Sequence, residues 1–292
     1  MLFFSQLVNG LQLGSIYALI ALGYSMVYGI IRLLNFAHGD VIMVGGYIVV
    51  FMIALGINPA LSVVMAVFGC VLLASIIYTG AYSPLGNAPR ISLLITAIGV
   101  SMLLQNLAQL FFSARSLSFP ASSIMPVQNY DVGGISISLA AIVTILVTIG
   151  AMAGLTFLVQ KTKTGKAMRA VSEDTEAAQL MGVNVKNIIL FTFGVGAALA
   201  GIGAILYCIR YPLVNPTMGS LPGLKAFIAA VLGGIGSIPG AMIGGIAIGL
   251  FEVLVNAVGL STWTEGIVFG ILIIVLLVRP TGFMGPSMVE KV

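Results

Sequence analysis

From Leu139 to Val159 the chain carries no charged side chain, and comparable runs recur along most of its length. A helix needs about 20 mostly apolar residues to cross the hydrocarbon core of a bilayer. Inside that core every backbone donor and acceptor must be satisfied within the protein, which leaves helix bundles or closed barrels. Barrel strands are short segments of about ten residues that alternate apolar and polar. The runs here are long and do not alternate, so the helical solution follows. Composition agrees: 60% of the 292 residues are hydrophobic and only 7% are charged, against about 25% charged in a soluble domain. So few charges cannot cover a water-facing surface of this size. The expected fold is all-α, a polytopic membrane helix bundle forming a single transmembrane domain over 1–292.

Measured against the bilayer, the sequence predicts spans near Leu7–Ile31, Phe36–Leu55, Ala60–Thr79, Ser92–Phe112, Ser138–Gln160, Ile188–Ile209, Ile238–Val258 and Gly266–Val278. Leu224–Gly234 is apolar but short, and reads either as a re-entrant half-helix or as one arm of a broken helix. The expected count is therefore eight, or nine if that segment crosses. The first run is long and lacks a small-residue cleavage site before a polar region, which marks a retained helix rather than a signal peptide. Cys70 and Cys208 fall inside apolar runs without metal or redox spacing and read as small buried hydrophobes.

Two connections are hydrophilic. Ser113–Ile137 is polar, with Arg115 and Asp131 as its only charges. Lys161–Asn187 gathers Lys161, Lys163, Lys166, Arg169 and Lys186 out of 12 basic residues in the whole chain. Basic loops stay cytoplasmic, so 161–187 is expected inside, together with Arg90 and the terminal Arg279–Lys291 segment. Ser113–Ile137 and the N-terminus then fall outside. A C-terminus inside requires Leu224–Gly234 to cross.

A weak internal similarity relates Gly39–Gly46 to Gly240–Gly245, each opening a span that leads through a second span to a proline turn, Ser83-Pro84 or Arg279-Pro280. Transporters are often built from duplicated helical units with the solute path between them. Small-residue membrane helices also resemble one another by composition alone.

The basic loop contains a self-capped helix signal. Ser172 can cap its start, while Glu173, Asp174 and Glu176 place negative charge in the first turn, where the helix dipole favours it. Gly182 can adopt the left-handed conformation that ends it. About nine residues at 1.5 Å rise give a rod of roughly 13 Å. A rigid polar helix on the most charged face suits docking into a cleft on a soluble partner, with Ala177, Ala178, Leu180 and Met181 as its packing face. An incidental surface helix would carry the same caps.

These residues resemble a known family. Arg169 to Val183 is similar to the EAA-type coupling loop of bacterial ABC-transporter permeases. Asn35-Phe36-Ala37-His38-Gly39-Asp40 and the stretch from Gly223 to Gly245 resemble the branched-chain amino-acid permeases of LivH type, as do Gly14-Ser15-Ile16-Tyr17-Ala18-Leu19 and Arg279-Pro280-Thr281-Gly282. The match is collinear over essentially the whole chain. Around Tyr82-Ser83-Pro84-Leu85-Gly86 the family carries more charge than this sequence, which keeps only Arg90 nearby. The resemblance implies one permease subunit of an ABC importer, with a second permease (a paralogue or a copy of itself), two ATP-binding subunits and an extracytoplasmic solute-binding protein. It implies branched-chain or other small neutral amino acids as cargo, and the cytoplasmic membrane of a bacterium or archaeon as location. In that family the loop transmits nucleotide-driven closure, so the chain itself needs no cofactor and is no enzyme, with ATP and Mg held by the partner subunits.

The residues suggest where solute could pass. Asn35, His38 and Asp40 sit at the mouth of the second span, and ionisable groups at membrane depth are costly and tend to mark pathways or paired sites. His38, the only histidine, reads as a capping and interhelical hydrogen-bonding group or as a direct participant. Gly233, Gly234 and Gly236 lie in a glycine-rich break that lacks the Lys-Ser/Thr of a nucleotide-binding loop. Such a break lets helices approach closely and can line a path. Gly201, Gly203, Gly244, Gly245 and Gly249 read as packing positions. Lys225 can snorkel to the outer interface, and Glu252 is expected to be paired or lumen-facing. Rival classes are an ABC permease for urea or short amides, a stand-alone ion-coupled amino-acid transporter, and a channel. A stand-alone ion-coupled transporter would not explain a docking helix on the inside face or the whole-chain resemblance.

Overall fold

The computed structural model of the chain describes residues 2–31, 35–86, 88–132, 135–279 and 281–285. Pro280 and 286–292, part of the terminal segment assigned to the inside, lie outside the described residues, as does the side chain of Arg90.

Helices account for most of the described chain. In order they are α1 (Leu2–Ile31), α2 (His38–Ala54), α3 (Pro59–Ile77), α4 (Arg90–Phe112), the short α5 (Ala121–Ile124), α6 (Leu139–Lys161), α7 (Lys163–Glu173), α8 (Thr175–Leu180), α9 (Val185–Arg210), α10 (Ser220–Gly233), α11 (Ile238–Ala257) and α12 (Thr264–Val278). Among the described residues, 7 helical segments are long and apolar enough to cross a membrane, and α2 and α10 are shorter apolar helices. The protein is a multi-pass membrane protein. Ends are set by local chemistry: Asn58 accepts the Ala60 amide before Pro59 opens α3, and the Ser138 hydroxyl accepts the Ala141 amide at the start of α6. After Ile77, α3 continues through a π-helical turn, Tyr78–Tyr82, and a 3-10 turn at Ser83–Leu85. Pro84, which has no amide hydrogen to donate, falls within that last turn.

The bundle has two ends. At one, α7 and α8 lie beside the end of α6 and Ser25–Ile30 of α1. At the other, strands β1 (Leu117–Ser118), β2 (Asn129–Val132), β3 (Ile135–Ser138) and β4 (Leu213–Val214) make two small sheets, β1 with β4 and β2 with β3. The Ser113–Ile137 connection, read only as a polar loop, thus holds an ordered hairpin with Asn129 opposite Ser138. Its alternation of polar and apolar residues was the available signal.

Two helices begin inside the bundle rather than at an end. The first residues of α2 lie beside Gly23, which itself packs on Gly196 in the middle of α9. From there α2 runs to the hairpin end, where Gly46 meets Cys208 and Val214. The start of α10 meets the start of α2: a Cβ on Gly39 would stand 2.6 Å from the Gly219 carbonyl oxygen and 3.3 Å from Gly223 Cα. From there α10 runs the opposite way, ending at Gly233 beside Gly240 near the α7 end. The second expected span is therefore a half-helix, and Leu224–Gly234 belongs to its counterpart. Counting both, the described chain traverses the bundle nine ways, matching the upper of the two expected counts.

The packing also relates α1–α4 to α9–α12 with direction reversed. Helix α1 packs closely on α11 as α9 does on α3, α1 and α9 also pack on each other, and α2 lies against α9 as α10 lies against α1. The segment Gly39–Gly46 thus corresponds in space to α10, not to the Gly240–Gly245 segment that resembles it in sequence. Small residues mediate the closest crossings. Gly10 and Gly14 of α1 face Gly249 and Gly245 of α11, and a Cβ on Gly14 would stand 2.7 Å from Ile246 Cα. Gly201 lies against Val67 and Cys70, and Gly203 against Ile20. In lipid, where burial of apolar surface drives nothing, such close backbone approach is what holds helices together.

Replacing Gly249 with valine places side-chain atoms against the Gly14 backbone, which cannot give way as a flexible side chain can. Overpacking of this kind costs about 1–3 kcal/mol or more. Purified G249V in detergent is expected to unfold several degrees below the parent, whereas G99V, at a position with open space around it, is expected to melt with the parent.

Candidate translocation and coupling sites

The half-helix junction carries a polar network. Asn35 is buried, and its Oδ1 accepts the Ala37 amide at 3.1 Å and the Tyr82 hydroxyl at 2.9 Å. This second bond ties the start of α2 to the π-helical turn after α3. His38 is also buried, with its ring set edge-on to Tyr24 at 4.6 Å between centroids. Its Nε2 has no hydrogen-bond partner among the described residues and sits against Gly23. The capping role expected of His38 is absent, since Ala37 precedes α2 without a side-chain cap, but the interhelical bond is present: the ring of His38 hydrogen-bonds the Ile20 backbone of α1.

Asp40, 1% exposed, lies in the first turn of α2, where the helix dipole favours a carboxylate. Its Oδ1 accepts from Gln105 Nε2 at 2.9 Å, and the same amide reaches Ser101 and Ser220 hydroxyls at 3.2 Å. Beside this carboxylate is a cavity of about 170 Å³ lined by Tyr24, Phe36, Gly39, Asp40, Ser101, Ser220, Gly223 and Leu224. Ser101 is the central residue of α4, so the cavity lies at mid-depth.

Glu252 belongs to a different cluster. It accepts the Tyr17 hydroxyl at 2.9 Å and a Lys225 Nζ hydrogen at 3.0 Å, and Lys225 also reaches Glu265 at 2.8 Å. Four helices, α1, α10, α11 and α12, are joined here. Pairing, one of the two expectations for Glu252, is what the structure shows. Lys225 does not snorkel free but is held between two carboxylates, of which Glu265 alone is substantially exposed, at 44% for its side chain.

Gly233, Gly234 and Gly236 occupy a third place. Gly234 and Gly236 have φ of 103° and 92°, a backbone that side chains strain to adopt. They form the α10–α11 turn, closed by Ser237, whose hydroxyl accepts the Gly240 amide, and by the Gly236 amide donating to Ser25 Oγ at 2.9 Å. Ser25, Gly29 and Gly236 border a cavity of about 190 Å³ together with Met168, Arg169 and Ser172 of α7. The structure therefore does not unite the path candidates. Asn35, His38 and Asp40 share one site, Glu252 sits in an ion cluster, and the glycines adjoin the basic loop.

That loop holds two helices where one was expected. Helix α7 begins at Lys163, with Thr162 Oγ1 accepting the Gly165 amide, and buries Gly165, Met168 and Val171. Arg169 donates to the Val159 carbonyl at the end of α6. Ser172 lies in the last turn of α7, donating to the Arg169 carbonyl, and caps nothing. Glu173 ends α7, and Asp174 is the cap of α8, accepting the amides of Glu176 and Ala177 at 2.9 Å each. Helix α8 has 6 residues, about 9 Å at 1.5 Å rise. Its C-terminus closes as expected at Gly182, with φ of 85°, where Val183 N–H donates to the Ala178 carbonyl and Gly182 N–H to Gln179. Ala178 turns inward at 4% exposure, while Leu180 and Met181 project outward at 89% and 84%. Glu176 and Ala177 are exposed too.

The chain matches the family described as "Branched-chain amino acid transport system / permease component" over residues 6–277. The chain belongs to this family. It is 44% identical to the high-affinity branched-chain amino acid transport system permease protein BraD of Pseudomonas aeruginosa, across 99% of this chain and 98% of that protein. It is 43% identical to the corresponding permease protein LivH of Escherichia coli, again over 99% and 98%. A probable branched-chain amino acid transport permease protein LivH of Methanocaldococcus jannaschii is 31% identical over 93% of this chain and 89% of its own length. No solved structure matches the chain. These relatives are transport permeases rather than enzymes.

Some polar groups of this permease were not singled out from sequence. Gln105 and Ser101 fall in the fourth span, and Gln12, which accepts from Arg210 at 2.6 Å, in the first. A polar residue inside an apolar run was the visible signal, without an indication of which helix it would meet. The ion cluster sets a measurable expectation. K225M leaves two carboxylates without their cation, and breaking a buried pair from one side costs about 3–5 kcal/mol. E252Q leaves Lys225 paired with Glu265, so its loss of thermal stability is expected to be smaller. Equal losses would show that Glu265 does not share the charge.

Proposed function

We propose that this permease is one of two membrane subunits of an ABC importer for branched-chain or other small neutral amino acids, in the cytoplasmic membrane of a bacterium or archaeon. The observation that carries this reading is near-full-length similarity to permeases named for branched-chain amino acid transport, in a chain that also presents a capped helix with exposed Leu180 and Met181 on its basic face. Exposed apolar side chains in a charged loop fit the cleft of a soluble partner. On this reading the partners are two ATP-binding subunits at that loop, a second permease subunit and an extracytoplasmic binding protein at the hairpin end. ATP and Mg belong to the ATPases, and this chain, a single transmembrane domain with its coupling loop at 161–187, holds no cofactor. Urea and short amides remain the alternative cargo class.

The geometry supplies a mechanical route. Of the expected coupling residues, Asp174, Glu176, Ala177, Leu180, Met181 and Gly182 form the docking element, Ala178 anchors it from within, and Ser172 and Glu173 end α7, which connects it to the Gly234–Gly236 turn. Helix α10, with 14 residues, is a rod of about 21 Å from that turn to the junction with α2 at mid-depth. A shift of α7 on nucleotide-driven closure then moves the Gly223 end of α10 against Gly39, beside Asp40. Alternating access by movement of packed helices around a central site is the general pattern in transporters.

Purification of the tagged chain from its native membrane, with mass spectrometry of what accompanies it, tests the assembly. A stoichiometric ATPase is expected, and L180E/M181E is expected to release it while leaving the chain folded. D174A, which removes a cap worth about 1 kcal/mol, is expected to weaken the association without abolishing it. A preparation free of ATPase that still concentrates leucine along an ion gradient would overturn the reading.

A further inference from the structure

The mid-depth cavity has a buried carboxyl group on its wall with no basic side chain beside it among the described residues. Asp40 is 1% exposed, and among the described residues no lysine or arginine forms an ion pair with it; the ion pairs present both belong to Lys225. Its hydrogen-bond partners are neutral, the amide of Gln105 and the hydroxyl of Ser101, and the α2 N-terminus adds partial positive charge. A buried carboxylate held only by neutral groups is costly in a low-dielectric setting unless a charge partner is supplied. The cavity beside it is walled by two aromatic side chains, Tyr24 and Phe36, and by Leu224, and Ser101 and Ser220 complete its polar lining. Gly39 and Gly223 contribute no side chain, which is what lets the two helix starts approach so closely.

We propose that this cavity is a transient solute site in which Asp40 receives a primary ammonium group. The ring faces of Tyr24 and Phe36 can take the positive charge from the sides, and Leu224 offers apolar surface to an aliphatic side chain. The ligand class is a small amine-bearing solute, such as a free aliphatic amino acid, which excludes urea and neutral amides as well-matched cargo. The inference rests on the proposed amino-acid permease reading and adds to it the group that recognises the amine.

The test uses the complete transporter, with its partner subunits and binding protein, reconstituted in vesicles. Asp40→Asn keeps an oxygen that accepts the Gln105 hydrogen bond but removes the charge. ATP-driven leucine uptake by D40N is expected to fall at least tenfold with complex recovery and ATPase attachment unchanged. Uptake within twofold of the parent would overturn the proposal while leaving the permease reading intact. If the parent complex moves urea or acetamide under ATP and not leucine, the permease reading fails on cargo, and the inference with it.

A second measurement does not depend on D40N folding. Ser101→Cys places a thiol on the cavity wall, and the native Cys70 and Cys208 are both buried. Relative to a small free thiol, S101C is expected to favour a trimethylammonium methanethiosulfonate over its sulfonate counterpart by about tenfold. No preference, or no reaction with either reagent, would overturn the proposal.

Discussion

The structure depends on close backbone contact between helices that have nothing to gain from hiding apolar surface. Lipid tails are as apolar as leucine, so association comes from packing and from the few polar bonds made between helices. The α1–α11 crossing shows this most directly, with Gly10 and Gly14 laid against Gly249 and Gly245. Because α1 is so enclosed, its partners α9, α10 and α11 take their positions from it, and the half-helix α2 lies against α9 in turn. The same device recurs at the junction of α2 and α10, where Gly39, Gly219 and Gly223 allow two helix starts to abut.

Polar groups at membrane depth are few and gathered. One set, Tyr17, Lys225, Glu252 and Glu265, is internally paired and ties four helices together. The other, around Asp40, holds a carboxylate beside open space. A paired cluster is a structural fastening, whereas an unpaired charge next to a cavity is a place for something to arrive. The two sets are joined through α10, which carries Lys225 in one and Ser220 with Gly223 in the other. The glycine turn at the far end of α10 rests beside α7, so the exposed α8 is linked to the mid-depth site through α7 and α10 in succession.

Much of the Ser172–Gly182 segment was legible because its signals are local. Gly182 ends α8 as its sequence position suggested, since the left-handed conformation there is a property of the backbone at one residue. The start was misread by two residues. Ser172 and Asp174 are both good capping residues, and the choice between them fell to α7, whose buried face at Gly165, Met168 and Val171 extends helical structure through Ser172. That burial is tertiary, and a basic loop read for charge gives no sign of it. Likewise Ala178 shared a predicted packing face with Leu180 and Met181, yet it is buried within the chain while they stand exposed.

By itself the sequence determined that this is a multi-pass helical bundle, which connection is most basic, and where small residues let helices meet. Those follow from the solvent: hydrocarbon admits long apolar helices and little else, and a charge count per segment reveals them. The tertiary structure alone decided that Phe36–Leu55 begins at mid-depth, since Phe36 and Ala37 are as apolar in a turn as in a span. It alone decided that Gly39 faces Gly223, that Glu252 is paired while Asp40 is not, and that the glycine turn adjoins α7. Hydropathy records what a residue can tolerate around it, whereas partners and depth are set by which helices the chain brings side by side.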